Sequence, residues 1–192
     1  MSALVIGLIV FLGTHSVRIV AEDWRRARIQ AMGTVAWKGL YSAIALLGFV
    51  LIVWGYALSR AAPIDVWHPP LWTKHVAALL TIPAFVLLAA AYVSATRIKA
   101  AVKHPMLVGV KLWAFAHLLA NGRLADIVLF GAFLAWAILD FRAARARDRA
   151  MGVVVEPGSL TRDAIALVVG MIAWAAFAFH LHAAWSGVRP FG

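Results

Sequence analysis

The sequence predicts an all-α membrane protein: a polytopic bundle of six transmembrane helices with both termini on the periplasmic side. Of its 192 residues, 64% are hydrophobic and 14% are charged, whereas about a quarter of the residues in a soluble domain are charged. The apolar residues form six runs, and each is close to the roughly 20 residues that cross a bilayer. These runs use up the chain, so residues 1–192 are expected to form one transmembrane domain.

The first three spans are predicted at residues 3–20, 39–58 and 72–92. Trp24 and the arginines that follow it are typical of a cytoplasmic membrane boundary, and nothing around the first span resembles a removable signal peptide. In the third span, Pro83 leaves one backbone carbonyl without its donor, which predicts a kink.

The remaining spans are predicted within the stretch 103–122, at 123–141, and from Ser159 or Thr161 to about Trp185. Pro105 is suited to the first position of a helix, and Asn121-Gly122 favours a left-handed helix stop. Because the turn after the fourth span is very short, the fourth and fifth spans are expected to be antiparallel neighbours. Ser159 or Thr161 would cap the sixth helix.

The distribution of basic residues sets the predicted orientation. Thirteen of the 18 Lys and Arg residues fall on one side of the predicted bilayer, four fall on the other side, and Lys111 lies within a span. This asymmetry puts the basic side in the cytoplasm and both termini outside it. The net charge of +10 is therefore explained by topology, and nucleic-acid binding is not expected.

The chain has no cysteine and seven histidines. The absence of cysteine excludes disulfides, iron–sulfur clusters, cysteine zinc sites and covalent c-type haem attachment. There is also no H-E-x-x-H motif, which argues against a zinc hydrolase. Imidazole is a common ligand of metals and haem iron, so these histidines raise the hypothesis of haem b held between helices.

His117 and His15 are the first candidates for iron ligands because both lie well inside apolar helices, where ionisable groups are costly. Their predicted depths differ by about 10 Å at 1.5 Å per residue. Depth alone would pair His117 with His75 or with His180, and the choice of pair stays open. His180 and His182 are two residues apart and point to different sides of one helix, so only one of them is expected to contribute.

Two basic side chains are candidates to bind haem propionates. Arg18 lies three residues after His15 and therefore on the same helix face, although an arginine at this depth also suits simple snorkelling. Lys111 lies deep in the fourth span, where a propionate, a substrate carboxylate or an acid on a neighbouring helix would suit it. His104 is expected to lie at the membrane interface in a capping or structural role, and His68 to lie in a solvated loop.

The stretch from His104 to Gly122 resembles the signature of the NnrU family of bacterial inner-membrane proteins. The similarity runs along the whole chain. Its other parts are Thr14-His15-Ser16-Val17-Arg18, Tyr41-Ser42, Val53-Trp54-Gly55-Tyr56, Leu181-His182 and Gly187-Val188-Arg189-Pro190-Phe191.

The resemblance implies a location in the bacterial inner membrane and an association with denitrification, the reduction of nitrite and nitric oxide. A family relative, the plant and cyanobacterial 15-cis-zeta-carotene isomerase, is a haem b protein with histidine ligands, which map to His15 and His117. Where the isomerase has a cysteine, this chain has Ala114, so ligand exchange through sulfur is not available.

Three hypotheses for the function follow. The first is a haem b protein of nitrogen-oxide metabolism with iron bound by His15 and His117. The second is a haem-dependent cis–trans isomerase of a hydrophobic polyene, and the third is a cofactor-free assembly factor. The expected partners are the lipid bilayer and either a hydrophobic small molecule or nitric oxide.

Overall fold

The computed structural model describes residues 1–191, which contain helices and no strand. Short helices at one end of the molecule connect longer apolar helices; they are formed by residues Glu22–Met32 and Arg97–Val102. The elements in chain order are α1 (Ser2–Val20), α2 (Glu22–Met32), α3 (Thr34–Ala61), α4 (Leu71–Tyr92), α5 (Arg97–Val102), α6 (Pro105–Ala120), α7 (Leu124–Ala150), α8 (Leu160–Ala176), a π-helical turn (Phe177–Leu181) and α9 (His182–Ser186).

Five helical segments are long and apolar enough to cross a membrane: α1, α3, α4, α7 and the continuous segment Leu160–Ser186. The sixth predicted span corresponds to α6, which is apolar but has only 16 residues. At 1.5 Å per residue it is about 24 Å long, less than a hydrocarbon core of about 30 Å. The all-α prediction is thus confirmed, together with five spans.

The long helices pack in the order α3, α1, α7, α6, α4, α8, which describes an open arc. The neighbours predicted from the short turn, α6 and α7, do pack against each other. At one end of the molecule, the Arg60 guanidinium of α3 donates a hydrogen bond to the Ser186 carbonyl of α9. This bond links the two ends of the arc.

Glycines let α1 and α3 approach closely. A Cβ atom added at Gly7 would lie 2.6 Å from the backbone nitrogen of Ile52, and one added at Gly48 would lie 2.6 Å from that of Phe11. Small residues are the usual means of close helix contact in a bilayer, where lipid removes most of the hydrophobic drive for association. The buried core next to this contact consists of Leu4, Leu8, Ile52, Ala114, Ala125, Leu129 and Phe130.

All three basic segments expected to be loops between predicted spans contain helix, the shortest being α5. Residues 22–32 form α2, in which Arg25 lies 3.1 Å from Glu22 and Arg26 lies 2.8 Å from Asp23. Likewise α7 continues to Ala150, about nine residues beyond the predicted span end. Both segments are rich in alanine, arginine and acids at helical spacing, which favour helix once no lipid boundary forces a turn.

The predicted limits of α6 are confirmed, but the way it ends differs. Asn121 has a φ of −129°, so it is not left-handed. Its side-chain amide instead donates to the carbonyl of His117 at 2.8 Å, and Gly122 lies against the Trp67 carbonyl, where no larger residue would fit. At Pro83, where a kink was predicted, α4 continues as a helix. Of the two predicted caps of the last long helix, Ser159 is the one whose hydroxyl caps α8.

We predict that Gly48→Val disrupts the α1–α3 contact, because the new side chain must displace the backbone of α1 around Phe11. Overpacking of this kind costs about 1–3 kcal/mol or more. Thermal unfolding in detergent would measure the loss. Gly39→Val is the matched control on the same helix, since a Cβ there has nothing within 4 Å; equal losses in the two variants would contradict this packing.

Candidate histidine site

The polar side chains of α1 are satisfied by their own helix. Thr14 donates to the Val10 carbonyl at 2.6 Å, and Ser16 donates to the Leu12 carbonyl at 2.7 Å. His15 does the same through Nδ1, which lies 2.7 Å from the Phe11 carbonyl. A carbonyl only accepts, so Nδ1 carries the proton and Nε2 of the neutral ring keeps its lone pair.

His117 repeats this arrangement in α6. Its Nδ1 donates to the Trp113 carbonyl at 2.8 Å, so its Nε2 is again the atom with a free lone pair. The ring packs at 4.5 Å from the ring of Phe130 and at 5.2 Å from that of Trp113. A backbone carbonyl that fixes Nδ1–H is the usual outer-shell partner of a metal-binding histidine.

His182 is the histidine that the fold brings to His117. The two ring centroids are 6.4 Å apart and the ring planes differ by 25°. His182 Nδ1 donates to the Val188 carbonyl at 2.7 Å, and the Ser186 hydroxyl lies 3.0 Å away. We call these two residues the histidine pair; both have Nδ1 engaged and Nε2 left as the available ligand atom.

His15 lies apart from the histidine pair. Its ring is 5.4 Å from that of Tyr41 and 6.0 Å from that of Trp136. Trp136 belongs to α7, and His117 contacts Phe130 of that helix. Phe130 and Trp136 are six residues apart, which is about 9 Å along the helix axis. His15 and His117 therefore lie at different levels along α7, as expected from the sequence. Ligation of one iron by both residues stays a prediction, and these positions do not favour it.

The other candidate histidines do not face the pair. His75 and His180 are both exposed on their helices. His104, expected in a capping or structural role, precedes α6 and makes no side-chain cap bond; its Nε2 lies 2.9 Å from the Asp148 carboxylate, which is a structural contact.

From the sequence, His180 was raised as a partner of His117 on depth alone, and the π-helical turn Phe177–Leu181 lies between the regular helix and His182. A π turn inserts an extra residue into the helical repeat, so a regular 3.6-residue period assigns the wrong face beyond it. The signal that was available was Leu181-His182 in the family resemblance.

The two predicted propionate partners lie elsewhere. Arg18 has a largely exposed side chain at the basic end of α1, 4.0 Å from Glu22. Lys111 places its Nζ 3.7 Å from the ring centroid of Phe141, a cation–π contact in the basic half of the molecule. Six residues separate Lys111 from His117, about 9 Å along α6. Neither side chain adjoins the histidine pair.

The donor set fits haem better than a bare metal ion. Residues 1–191 contain no group of three or more His, Asp or Glu side chains able to hold a metal together, whereas haem requires only axial ligands. Two rings that share one metal have centroids about 6 Å apart, since each metal–nitrogen bond is about 2 Å long. The two ring centroids of the pair are 6.4 Å apart.

The side of the site formed by α9 is loosely held. This short helix packs on the π-helical turn, receives the bond from Arg60 and meets α6 through the rings of the histidine pair. By contrast, the His117 side is built on α6 and α7, which pack closely along their lengths. A planar group entering between the two histidines would therefore displace α9 more readily than the core.

A second buried polar group lies near the same end of the molecule. Asp126 in α7 is only 4% exposed, and its carboxylate accepts a hydrogen bond from the Tyr56 hydroxyl of α3 at 2.5 Å. A carboxylate this deep requires a partner, because an unpaired buried acid is costly. The bond connects α3 with α7, which otherwise touch little.

Taken together, the five long apolar helices indicate a multi-pass helical membrane protein, and the histidine pair is its candidate cofactor site. The family model described as NnrU protein matches residues 3–190 of the chain. The chain therefore belongs to the NnrU family, as the central motif indicated. No curated protein and no solved structure gives a significant match.

We predict that Tyr56→Phe destabilises the fold by about 1–3 kcal/mol, because it leaves the buried Asp126 carboxylate without its donor. Chemical unfolding in detergent would measure this change. Tyr92→Phe removes the same hydroxyl from a residue that is 80% exposed and should have almost no effect. The prediction fails if Tyr56→Phe unfolds at the same denaturant concentration as the Tyr92→Phe control.

Proposed function

We propose that this NnrU family protein binds one haem b in the bacterial inner membrane, with His117 and His182 as axial ligands, and acts in nitrogen-oxide metabolism. The observation that carries the proposal is the histidine pair: two near-parallel imidazoles, 6.4 Å apart, each with Nδ1 donating to a backbone carbonyl. When bound, haem would supply an iron able to change oxidation state and bind a diatomic gas. The protein's part is to hold the two rings.

The proposed topology has six membrane crossings and both termini on the periplasmic side. Two contacts support it: the Ser59 hydroxyl of α3 bonds to Met1, and Arg60 of α3 bonds to the Ser186 carbonyl. The first and last helices therefore have their outer ends beside the same end of α3. The short α6 runs from the basic end, beside Val102, to the loop at Trp67. A crossing of about 24 Å requires the bilayer to thin locally, at a modest cost per ångström of mismatch.

The proposed part in nitrogen-oxide metabolism rests on the family association together with the unequal support of the two histidines. His117 is fixed in a packed core, while His182 sits on the loosely held α9. His182 would therefore be the less firmly placed of the two residues that hold haem, and the bound haem would supply the iron that takes up nitric oxide. A sensor or an accessory factor of a reductase would use this arrangement.

A polyene isomerase is less well supported. The position at which the isomerase has its cysteine is Ala114, and this residue is fully buried in the core. It offers neither a sulfur ligand nor open surface to a substrate. A cofactor-free assembly factor is the outcome left if no haem is bound.

An absorption spectrum of the detergent-purified protein tests the proposal. We expect a Soret band, with sharp α and β bands after reduction, as for iron with two nitrogen ligands. His117→Ala and His182→Ala should each shift or abolish these bands. His75→Ala is the matched control, because His75 is exposed on α4 and its loss should leave the spectrum unchanged.

The same series distinguishes the two ligand sets. If His15→Ala alters the bands while His182→Ala does not, the ligands are His15 and His117, and the histidine pair is structural. If the wild-type protein shows no visible absorption even after expression with added haem, the proposal of a haem protein fails as a whole.

We also predict that Arg60→Gln speeds the binding of carbon monoxide to the reduced protein several-fold, since the bond from Arg60 is what ties α9 to α3. Flash photolysis would measure the rate. Arg189→Gln removes an equal charge near the same end from an exposed residue and should leave the rate unchanged. Equal rates in wild type and Arg60→Gln would show that α9 does not gate access.

A further inference from the structure

A cavity of about 620 Å³ lies at the basic end of the molecule, far from the histidine pair. It is formed by the end of α5, the start of α6 and the last turns of α7. Part of its wall is apolar and part is cationic. The apolar residues are Ala101, Val102, Val108, Phe141 and Ala146, and the cationic residues are Arg142, Arg145 and Arg149.

The three arginines form one face of α7. Their spacing of three and then four residues brings them to the same side of the helix. In the part of the chain that the structure describes, none of the three lies within 4 Å of a carboxylate, and the two acids of this region are engaged elsewhere. Asp140 lies 3.6 Å from Arg147, and Asp148 lies 2.9 Å from His104. The cationic wall is therefore available to an anion.

The cavity lies where the apolar part of α7 gives way to its arginine-rich part. The apolar run of α7 ends at Phe141, and the arginines begin with the next residue. Lys111 adds further positive charge below the wall, through its contact with the Phe141 ring at 3.7 Å. An occupant at this depth would meet apolar side chains towards the bilayer centre and guanidinium groups towards the cytoplasm.

We propose that the cavity binds an anionic phospholipid of the cytoplasmic leaflet. Its phosphate would contact Arg142, Arg145 and Arg149, while the upper part of an acyl chain would lie along Val102, Val108 and Phe141. Basic pockets between helices on the cytoplasmic side are suited to such headgroups. Free inorganic phosphate would use the arginines alone and leave the apolar wall uncovered, so the two-sided lining favours a lipid.

Binding of phosphatidylglycerol and of phosphatidylcholine to the full chain in detergent, followed by native mass spectrometry, tests the proposal. We expect phosphatidylglycerol to bind in preference. Arg145→Gln should weaken its binding about fivefold, from the roughly 1 kcal/mol that each basic residue contributes near a membrane surface. Arg162→Gln is the charge-matched control, because it removes one exposed arginine from the same basic end and should change binding little.

A second variant separates a built site from general attraction to a basic surface. Ala146 is exposed and lines the cavity, so Ala146→Phe should project a ring into it and obstruct it without altering charge. We expect Ala146→Phe to lose most of the phosphatidylglycerol binding. The proposal is overturned if Ala146→Phe binds like the wild type, if Arg162→Gln weakens binding as much as Arg145→Gln, or if inorganic phosphate displaces the lipid at equal concentration.

Discussion

The fold depends on the requirement that polar groups inside a bilayer find their partners within the protein. Thr14, His15 and Ser16 meet it by bonding to the helix turn that precedes them, and His117 meets it in the same way. A hydroxyl that donates its only proton to a carbonyl gains no new role from this bond. For an imidazole it fixes the proton on one nitrogen and leaves a lone pair on the other, so the constraint that makes these helices tolerable in lipid also prepares a ligand.

The arc of helices determines which of these imidazoles lies beside a second one. Most of the embedded polar residues stay on separate helices, and His15 shares its surroundings only with aromatic rings. At the end formed by α3, α6 and α9, however, the link from Arg60 to Ser186 brings the last helix back towards the first ones. His182 reaches His117 there, on the same end as the Tyr56–Asp126 bond.

The sequence was sufficient to predict the helical class, most of the spans and the limits of α6, because apolar length, Pro105 and the Asn121-Gly122 turn are local signals. Packing of α6 with α7 followed from the short turn between them. The partner of His117 could not be predicted in this way. It depends on the π-helical turn, which alters the face that His182 presents, and on a contact between residues 126 positions apart that bonds Arg60 to Ser186.

The depth argument illustrates the same limit. It separated His15 from His117 by predicted depth, and it raised His180 as an alternative because the last helix reaches the same predicted level. The choice between His180 and His182 depends on which face of the last helix each residue occupies. Depth along the helix does not give that information. The cationic face of α7 was visible as a run of arginines, but the apolar wall opposite it comes from α5 and α6 and appears only in the folded chain.

The Nδ1 of His182 bonds to a carbonyl six residues further along the chain, that of Val188. During synthesis, this hydrogen bond cannot form until the ribosome has passed that residue and the final helix has entered the bilayer. Any cofactor that requires both rings would consequently be loaded after insertion is complete. A truncated or stalled chain, even one with five helices correctly threaded, would expose His117 without its counterpart.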